Sequence, residues 1–380
     1  MDLSLSDEQR LLRESVDRFI TETYDADHRR STAGDPLGFS RKIWKQFAEL
    51  GWLALPIDED FGGLGAGAIE TGILMEAFGR GLVAEPYLST VVIGAGLISE
   101  CASETQKRAI LPAVADGSLI LAFAHSERAA RFDLAHVETT ATKTSDGWRL
   151  DGRKTAVLDG HAAGQIIVSA RIANGAPGKL CLFLVPSGAS GLTSRDFARL
   201  GGGRACNLDL DDVRVAAEAM LGDGSDCLPN IEAVVDRALA ALGSEAVGIM
   251  QTLLDRTLEY TKVRQQFGRP LSANQVIRHR LADMAMQCDE ARSIALRAAL
   301  MAGDEPGSRG RAASGAKAKI GKCARFVAEQ AVQLHGAMGV TEELDIGAYF
   351  KRLLAFDTMF GGSAHHYRRH AALGGRTIQT

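Results

Sequence analysis

The sequence predicts an α+β fold in three consecutive parts: an N-terminal α-helical domain over 1–118, a middle β-domain over 119–227 and a C-terminal four-helix bundle over 228–380. Three observations predict it. Apolar residues recur at helical spacing through the first third of the chain. Near Ser118 the period changes to short alternating or β-rich runs separated by Gly, Asp and Asn turns. After Leu228 the helical period returns and lasts nearly to the end. With 380 residues, 46% of them hydrophobic, the chain can build two or three domains with well-buried cores.

Taken in order, Ser6, Asp7, Glu8 and Gln9 form a capping-box pattern in which Ser6 and Gln9 satisfy each other's backbone donors at a helix start. Leu11, Leu12, Val16, Phe19 and Ile20 then make one apolar face. A second helix is expected around Arg41 to Leu50, ending at Gly51, with Trp44, Phe47, Trp52, Leu53 and Leu55 supplying a large hydrophobic surface. The run DEDFGGLGAG is glycine-rich from Gly62 to Gly67. No strand precedes it and no dinucleotide fingerprint is completed, so it reads as a connector. Helical patterns return over Glu70 to Phe78, Ser89 to Ile98 and Glu104 to Val114. The strand runs are LILAFAH, VETTATKT, GWRLDG, KTAVLDG, QIIVSAR, KLCLFLVP and CNLDLDDVRV. Four long helical segments follow, near 229–263, 272–302, 308–336 and 345–374.

Composition excludes several classes. A net charge of −4 provides no broad basic field for nucleic acid. Cys101, Cys181, Cys206, Cys227, Cys288 and Cys323 are scattered without a C-x-x-C pair, so neither a zinc site nor a disulfide framework is expected, and they read as reduced packing residues. The N-terminus is acidic and no apolar run reaches membrane-spanning length. A cytoplasmic protein with small-molecule or protein partners is expected.

The most informative stretch is Glu259 to Met284, EYTKVRQQFGRPLSANQVIRHRLADM. Two helical patterns meet there at a turn punctuated by Gly268 and Pro270. Arg264, Gln265, Gln266, Phe267 and Arg269 crowd a helix end, which suits a guanidinium and amides presented to a phosphate beside an aromatic wedge. Arg and Gln at a helix end are also commonly just solvated, and residue types alone leave both readings open. The run R-x-Q-F-G-x-P, the following glutamine, L-A-D-M, and a second run QLHGAMGV at Gln333 to Val340 together resemble the acyl-CoA dehydrogenase family. These flavoproteins oxidise a thioester between its α and β carbons.

The resemblance covers essentially the whole chain and implies that family's helical, β and four-helix-bundle domains, with FAD as cofactor and an acyl-CoA as substrate. In this family the flavin ring lies against the β-domain, while the AMP and pyrophosphate are held largely by a neighbouring subunit's last domain. By resemblance, Arg264 and Gln266 stand at the pyrophosphate, Phe267 packs nearby, Asn274 and Gln275 follow, and Gln333, Gly336 and Gly339 supply a second loop. His335 replaces a variable residue and either contacts the cofactor or is a satisfied core histidine. Ala337 replaces the second glycine of a pair, a small intrusion at negative φ and a serious one in left-handed backbone.

The β-domain departs from the family pattern. Ala156 and Leu158 stand where many members have a tryptophan that packs on the flavin and a threonine that hydrogen-bonds it. The loop AHSERAARFD keeps Ser126 and Glu127 but lacks the usual proline and glycines. Removing the α-proton needs a carboxylate in an apolar, water-poor site. At the family's commonest place for it, the run MFGGSAHH has Gly361. Glu245, set in ALAALGSEAVGIM, is the best internal candidate for a base, with a raised pKa unless a cation meets it; the alternative is a structural ion pair with a bundle arginine. Asp236, beside Arg237, ranks lower.

Whole-length resemblance is closest to small, non-catalytic subunits of heteromeric enzymes of the pimeloyl-CoA dehydrogenase type. That implies an α2β2 assembly with a larger relative that supplies the glutamate, and an electron-transfer flavoprotein as acceptor. Two other readings stay open: a self-sufficient homotetramer with Glu245 as base, and a non-redox scaffold or flavin monooxygenase on the same fold. Arg131, His365 and His366 each line a mouth or simply face water, and the sequence does not identify the acyl chain.

Overall fold

The computed structural model describes residues 4–173, 179–341 and 343–375, apart from the side chains of Ala26 and Ala33; the first three residues of the N-terminal run lie outside it. Helix α1 (Asp7–Thr23) opens the chain, and the capping box at Ser6 forms. The Ser6 backbone N–H donates to Gln9 Oε1 at 3.0 Å and the Gln9 N–H to Ser6 Oγ at 3.2 Å. Those bonds satisfy donors that a helix start would otherwise leave to water. Then come α2 (Ala26–Ala33), α3 (Arg41–Glu49) and α4 (Ala68–Gly81), a π-helical turn at Leu88–Ala95 that runs into α5 (Gly96–Cys101), and α6 (Glu104–Ala115). The helix α2 has no counterpart in the sequence reading because ADHRRSTA carries no apolar stripe. Phe47 stacks on Phe78 with ring centroids 5.0 Å apart, and Phe19 meets Trp52 edge-on at 5.2 Å. Burying each such ring contributes about 1.5–3 kcal/mol, and this aromatic knot is the core of the first part.

The middle sheet contains β1 (Leu121–Ala124), β2 (Thr140–Lys143), β3 (Gly147–Leu158), β4 (Gln165–Ile172), β5 (Leu180–Pro186), β6 (Leu192–Ala198) and β7 (Arg204–Ala216). Its order is β1-β4-β2-β3-β7-β6, with β5 also paired to β4. The runs GWRLDG and KTAVLDG, separate in the sequence reading, form the single strand β3. Strand β6 was not expected, since LTSRDFA lies almost wholly exposed and shows no alternation. In β3 the register with β7 slips between Lys154 and Val157, and Ala156 takes φ 52°. This bulge sets Ala156 out of the ladder, which resumes at Val157 and Leu158.

Helices α7 (Leu228–Val263), α8 (Gln275–Leu300) and α9 (Pro306–His335) form three members of the bundle. The fourth segment, expected as one helix over 345–374, is two: α10 (Ile346–Thr358) and α11 (Ser363–Leu373). The break has a cause in the packing. Phe360 and Gly361 take φ of 54° and 112°, and the fully buried Lys317 pulls the loop inward, its Nζ donating to Gly361 O at 2.9 Å and Asp357 O at 3.2 Å. Helix α7 also crosses α4 closely. A Cβ on Gly79 would lie 2.0 Å from the Glu245 carbonyl oxygen and one on Gly248 1.9 Å from that of Glu76, so only glycine allows this approach.

Candidate active site

Between the β-domain and the bundle lies a cleft of about 850 Å³. One wall comes from the end of β1 and the loop after it, with His125, Ser126 and Glu127, and from the β3 bulge, with Thr155, Ala156 and Leu158. The opposite wall is Val235 and Leu239 of α7 with Met359, Phe360 and His365 around the α10–α11 break. The two substitutions noted in the sequence therefore do face the cleft, where they present a methyl and an isobutyl group in place of an aromatic face and a hydroxyl.

A buried polar network lies beneath the β-domain wall. Lys154, fully buried on β3, donates from Nζ to Glu127 Oε1 at 2.7 Å, Ser169 Oγ at 3.0 Å and His125 O at 3.3 Å. Burial lowers the Lys154 ammonium to about 8 against the opposing pull of Glu127. Glu127 also accepts from the Glu138 N–H at 2.6 Å, the Thr139 N–H at 3.1 Å and Thr139 Oγ1 at 2.6 Å. Burial pushes its carboxyl up, yet the Lys154 charge and these donors outweigh that and hold it below the usual range. Glu127 thus organises the loop after β1 and is not available to substrate. Sequence reasoning passed over Lys154 and Lys317, because a lysine in a strand or on a helix face carries no signal of burial.

The opposite wall carries His365 and His366, beside Gly361. Gly361 has no side chain, and His365 stands against it. Burial, then the charges of Arg369, Arg368 and Lys317, lowers His365 below its ordinary value, so its imidazole is neutral near pH 7. His366 is buried, with Nε2 donating to Phe360 O at 3.0 Å and Nδ1 3.3 Å from Ser314 Oγ; burial and Lys317 lower it to about 3. The cleft-lining carboxylates are otherwise engaged or peripheral. Asp357 accepts from Ser363 Oγ at 3.0 Å and pairs with Arg325 at 3.5 Å, while Asp133 and Glu232 are exposed.

Glu245 does not line the cleft. It is buried in α7 and paired with Arg352 of α10 at 2.6 Å, so the bundle arginine of the alternative reading is present and the candidate base is occupied as a structural partner. Asp236 is likewise paired, with Arg369 Nη2 at 3.2 Å and Arg309 Nε at 3.6 Å.

The two runs that carry the family resemblance meet elsewhere, at one end of the bundle, and none of their residues lines the cleft. Helix α7 ends at Arg264. A two-residue hairpin pairs Gln265–Gln266 with Arg269–Pro270 and turns through Phe267 (φ 53°) and Gly268 (φ 77°). Phe267 is 98% exposed. Arg264, Gln266, Gln275 and Gln333 are exposed, whereas Asn274 accepts from Arg269 Nη2 at 2.6 Å and donates to Leu271 O at 3.1 Å, which ties down the turn. In the second run the left-handed residue is Gly336, at φ 62°, and Ala337 is not left-handed, so its methyl costs little. Gly339 is buried. His335 is a core histidine: it stacks on Tyr260 of α7 at 4.3 Å, its Nδ1 lies 2.8 Å from Ala331 O, and burial lowers its pKa. That stack joins the two runs.

The family models for the N-terminal, middle and C-terminal domains of acyl-CoA dehydrogenase match residues 6–118, 122–213 and 232–372. The chain belongs to the acyl-CoA dehydrogenase family. A probable acyl-CoA dehydrogenase of Bacillus subtilis, YngJ, is 31% identical over 91% of this chain and 92% of its own length. Among solved structures, a variant of the Tcur3481-Tcur3483 steroid ACAD is 29% identical, with a TM-score of 0.87 and coverage of 98% of this chain and 99% of that one. The ChsE4-ChsE5 complex of Mycobacterium tuberculosis is 26% identical, with a TM-score of 0.88 and coverage of 100% of both chains. Acyl-CoA dehydrogenases are FAD-dependent oxidoreductases, and this chain has their three-part architecture. Its exposed guanidinium and amides at the bundle end fit the dinucleotide part of FAD. Its cleft, with Ala156 and Leu158, lacks the ring-facing groups expected from the family. Among the described residues no helix is long and apolar enough to cross a membrane.

Proposed function

We propose that this chain is the smaller, non-catalytic subunit of a heteromeric acyl-CoA dehydrogenase of the cytoplasm, which desaturates an acyl-CoA thioester between Cα and Cβ. The observation that carries this reading is the pairing of an outward-facing nucleotide clamp with a cleft whose base position is Gly361. FAD, when bound, accepts the hydride from Cβ. Arg264, Gln266 and Gln333 would hold its phosphates and adenosine from outside, on a cofactor seated against the larger subunit's β-domain, and Phe267 would be covered in that contact. The larger subunit would supply the carboxylate that takes the α-proton, and an electron-transfer flavoprotein would reoxidise the pair.

Two of the structurally similar proteins named above are two-component assemblies, which agrees with an α2β2 arrangement. A homotetramer with Glu245 as base is weaker, because Arg352 already holds that carboxylate. No residue of the cleft favours a scaffold or a monooxygenase. The deciding measurement is flavin per chain for this protein expressed alone and together with its larger relative. The lone chain should be colourless and inactive, and the co-purified complex should carry FAD on only half of its chains. A lone chain that binds stoichiometric FAD and oxidises acyl-CoA would refute the subunit assignment.

A further inference from the structure

Three thiols, one from each part of the chain, gather where the parts meet. Cys101 ends α5, Cys181 lies on β5, and Cys227 is the residue from which α7 starts. The junction is tied down from both sides. The loop before α7 pairs with β5, the Cys227 N–H donating to Leu180 O at 2.8 Å and the Leu180 N–H to Asp226 Oδ1 at 3.0 Å. The same loop presses on the end of α5, where a Cβ on Gly222 would lie 2.4 Å from Cys101 O. From α7, Asn230 Nδ2 donates to Glu100 O at 3.5 Å and Arg237 pairs with the Glu100 carboxylate. Two anchored backbones thus set the Cys101 and Cys227 thiols against each other, within hydrogen-bonding reach.

The two sulfurs are chemically unequal. Cys101 donates its thiol proton to Cys227, which raises Cys101 and lowers Cys227 against the opposing effect of burial. Cys227 also stands at the N-terminus of a 36-residue helix, whose dipole favours a thiolate. Access separates this pair from the other thiols. Cys101 is half-buried and Cys227 is 6% exposed, whereas Cys181, Cys206, Cys288 and Cys323 are sealed in the cores. Cys181 is further turned away, with Sγ 3.8 Å from Gly224 O, and burial and then the Cys227 charge push its thiol up to about 11.

We propose that Cys101 and Cys227 are a peroxide-responsive thiol pair that closes into a reversible disulfide. The Cys227 thiolate attacks the O–O bond of hydrogen peroxide and becomes a sulfenic acid, while the departing hydroxide takes up the proton that Cys227 gave up. The Cys101 sulfur then displaces the sulfenic hydroxyl, which leaves as water with the Cys101 proton. Two thiols lose two electrons in all, and one peroxide becomes two waters. Exchange with a small thiol reverses the bond. The link ties the N-terminal part directly to the start of α7, the helix that carries Val235 and Leu239 into the cleft. It does not depend on which subunit holds the flavin.

The test exposes the full-length chain, purified under reducing conditions, to hydrogen peroxide and then denatures and alkylates it. Free thiols should fall from six to four per chain, a peptide joining Cys101 to Cys227 should appear by mass spectrometry, and dithiothreitol should restore all six. Cys101→Ser should leave Cys227 as a sulfenic acid that dimedone traps. Cys227→Ser should make Cys101 react at least about tenfold more slowly, and Cys181→Ser should cross-link at the parental rate. The peptide map of the parent needs no substitution, so a poorly folding variant does not leave the pair undecided. Six thiols surviving a peroxide dose that oxidises glutathione, a link to Cys181 instead, or a link that forms only after denaturation overturns the proposal.

Discussion

Gly361 and His365 compete for one volume: a Cβ built on Gly361 would lie 2.7 Å from His365 Cδ2, closer than real Cβ contacts come. The glycine also holds φ 112°, which side-chain-bearing residues rarely adopt. Backbone and neighbour therefore both exclude a side chain at position 361, in a loop packed on His365 and anchored from below by Lys317.

Gly361→Glu should accordingly fail to create a dehydrogenase in this cleft. Backbone strain of about 1–3 kcal/mol plus the His365 collision should lower thermal stability, and the double variant with His365→Ala should recover only part of it. Thermal midpoints and flavin-dependent turnover of the single and double variants provide the check. Turnover in this chain expressed alone, after that one substitution, would contradict the account.

The Glu245–Arg352 pair should behave as structure. Breaking it leaves a charge that is largely buried, and such losses cost about 3–5 kcal/mol. Glu245→Gln should thus lower the unfolding midpoint of the chain, while the complex that still assembles should keep its turnover per bound flavin. A collapse of turnover at normal stability would return Glu245 to the role of base.

His125 and His366 set the acid limb of stability. Both have folded-state values lowered to about 3, against about 6.5 in an unfolded chain. Between those values the unfolded state binds protons that the native state refuses. Stability is therefore complete above the unfolded value and falls as the pH drops through the window, by up to about 1.4 kcal/mol per pH unit for each group. Urea midpoints at about pH 7 and about pH 5 should differ clearly, and His366→Gln should flatten the difference. Equal midpoints in the parent protein would show that these rings are not kept neutral.

The helical, β and helical order was legible because each part repeats its own hydrophobic period over long stretches. What escaped was decided by tertiary contacts. Helix α2 and strand β6 lack apolar periodicity because they are mostly exposed. The α10–α11 break depends on Lys317, a residue that only the fold brings under the loop. The same holds at the site. The exposed turn at Arg264 and Gln266 could be placed from its local run. The buried Lys154 could not, since Glu127 and Ser169, the partners that make it notable, come from other parts of the chain.

The proposed nucleotide clamp allows the sharpest separation of roles. Arg264 and Gln266 project from a hairpin whose own geometry is held by Asn274, Arg269 and the Leu271 N–H to Arg264 O bond of 2.9 Å, so truncating either side chain leaves the turn intact. Arg264→Ala and Gln266→Ala should leave the assembly unchanged by sedimentation yet lower its affinity for FAD, the arginine by about tenfold or more because a charge-assisted contact is lost. Ala337→Gly should do little, as the backbone there is not left-handed. Asn274→Ala should loosen the hairpin itself and weaken FAD by that route, together with a lower thermal midpoint. If Arg264→Ala retained FAD as tightly as the parent complex, the surface at the end of α7 would not be a nucleotide clamp.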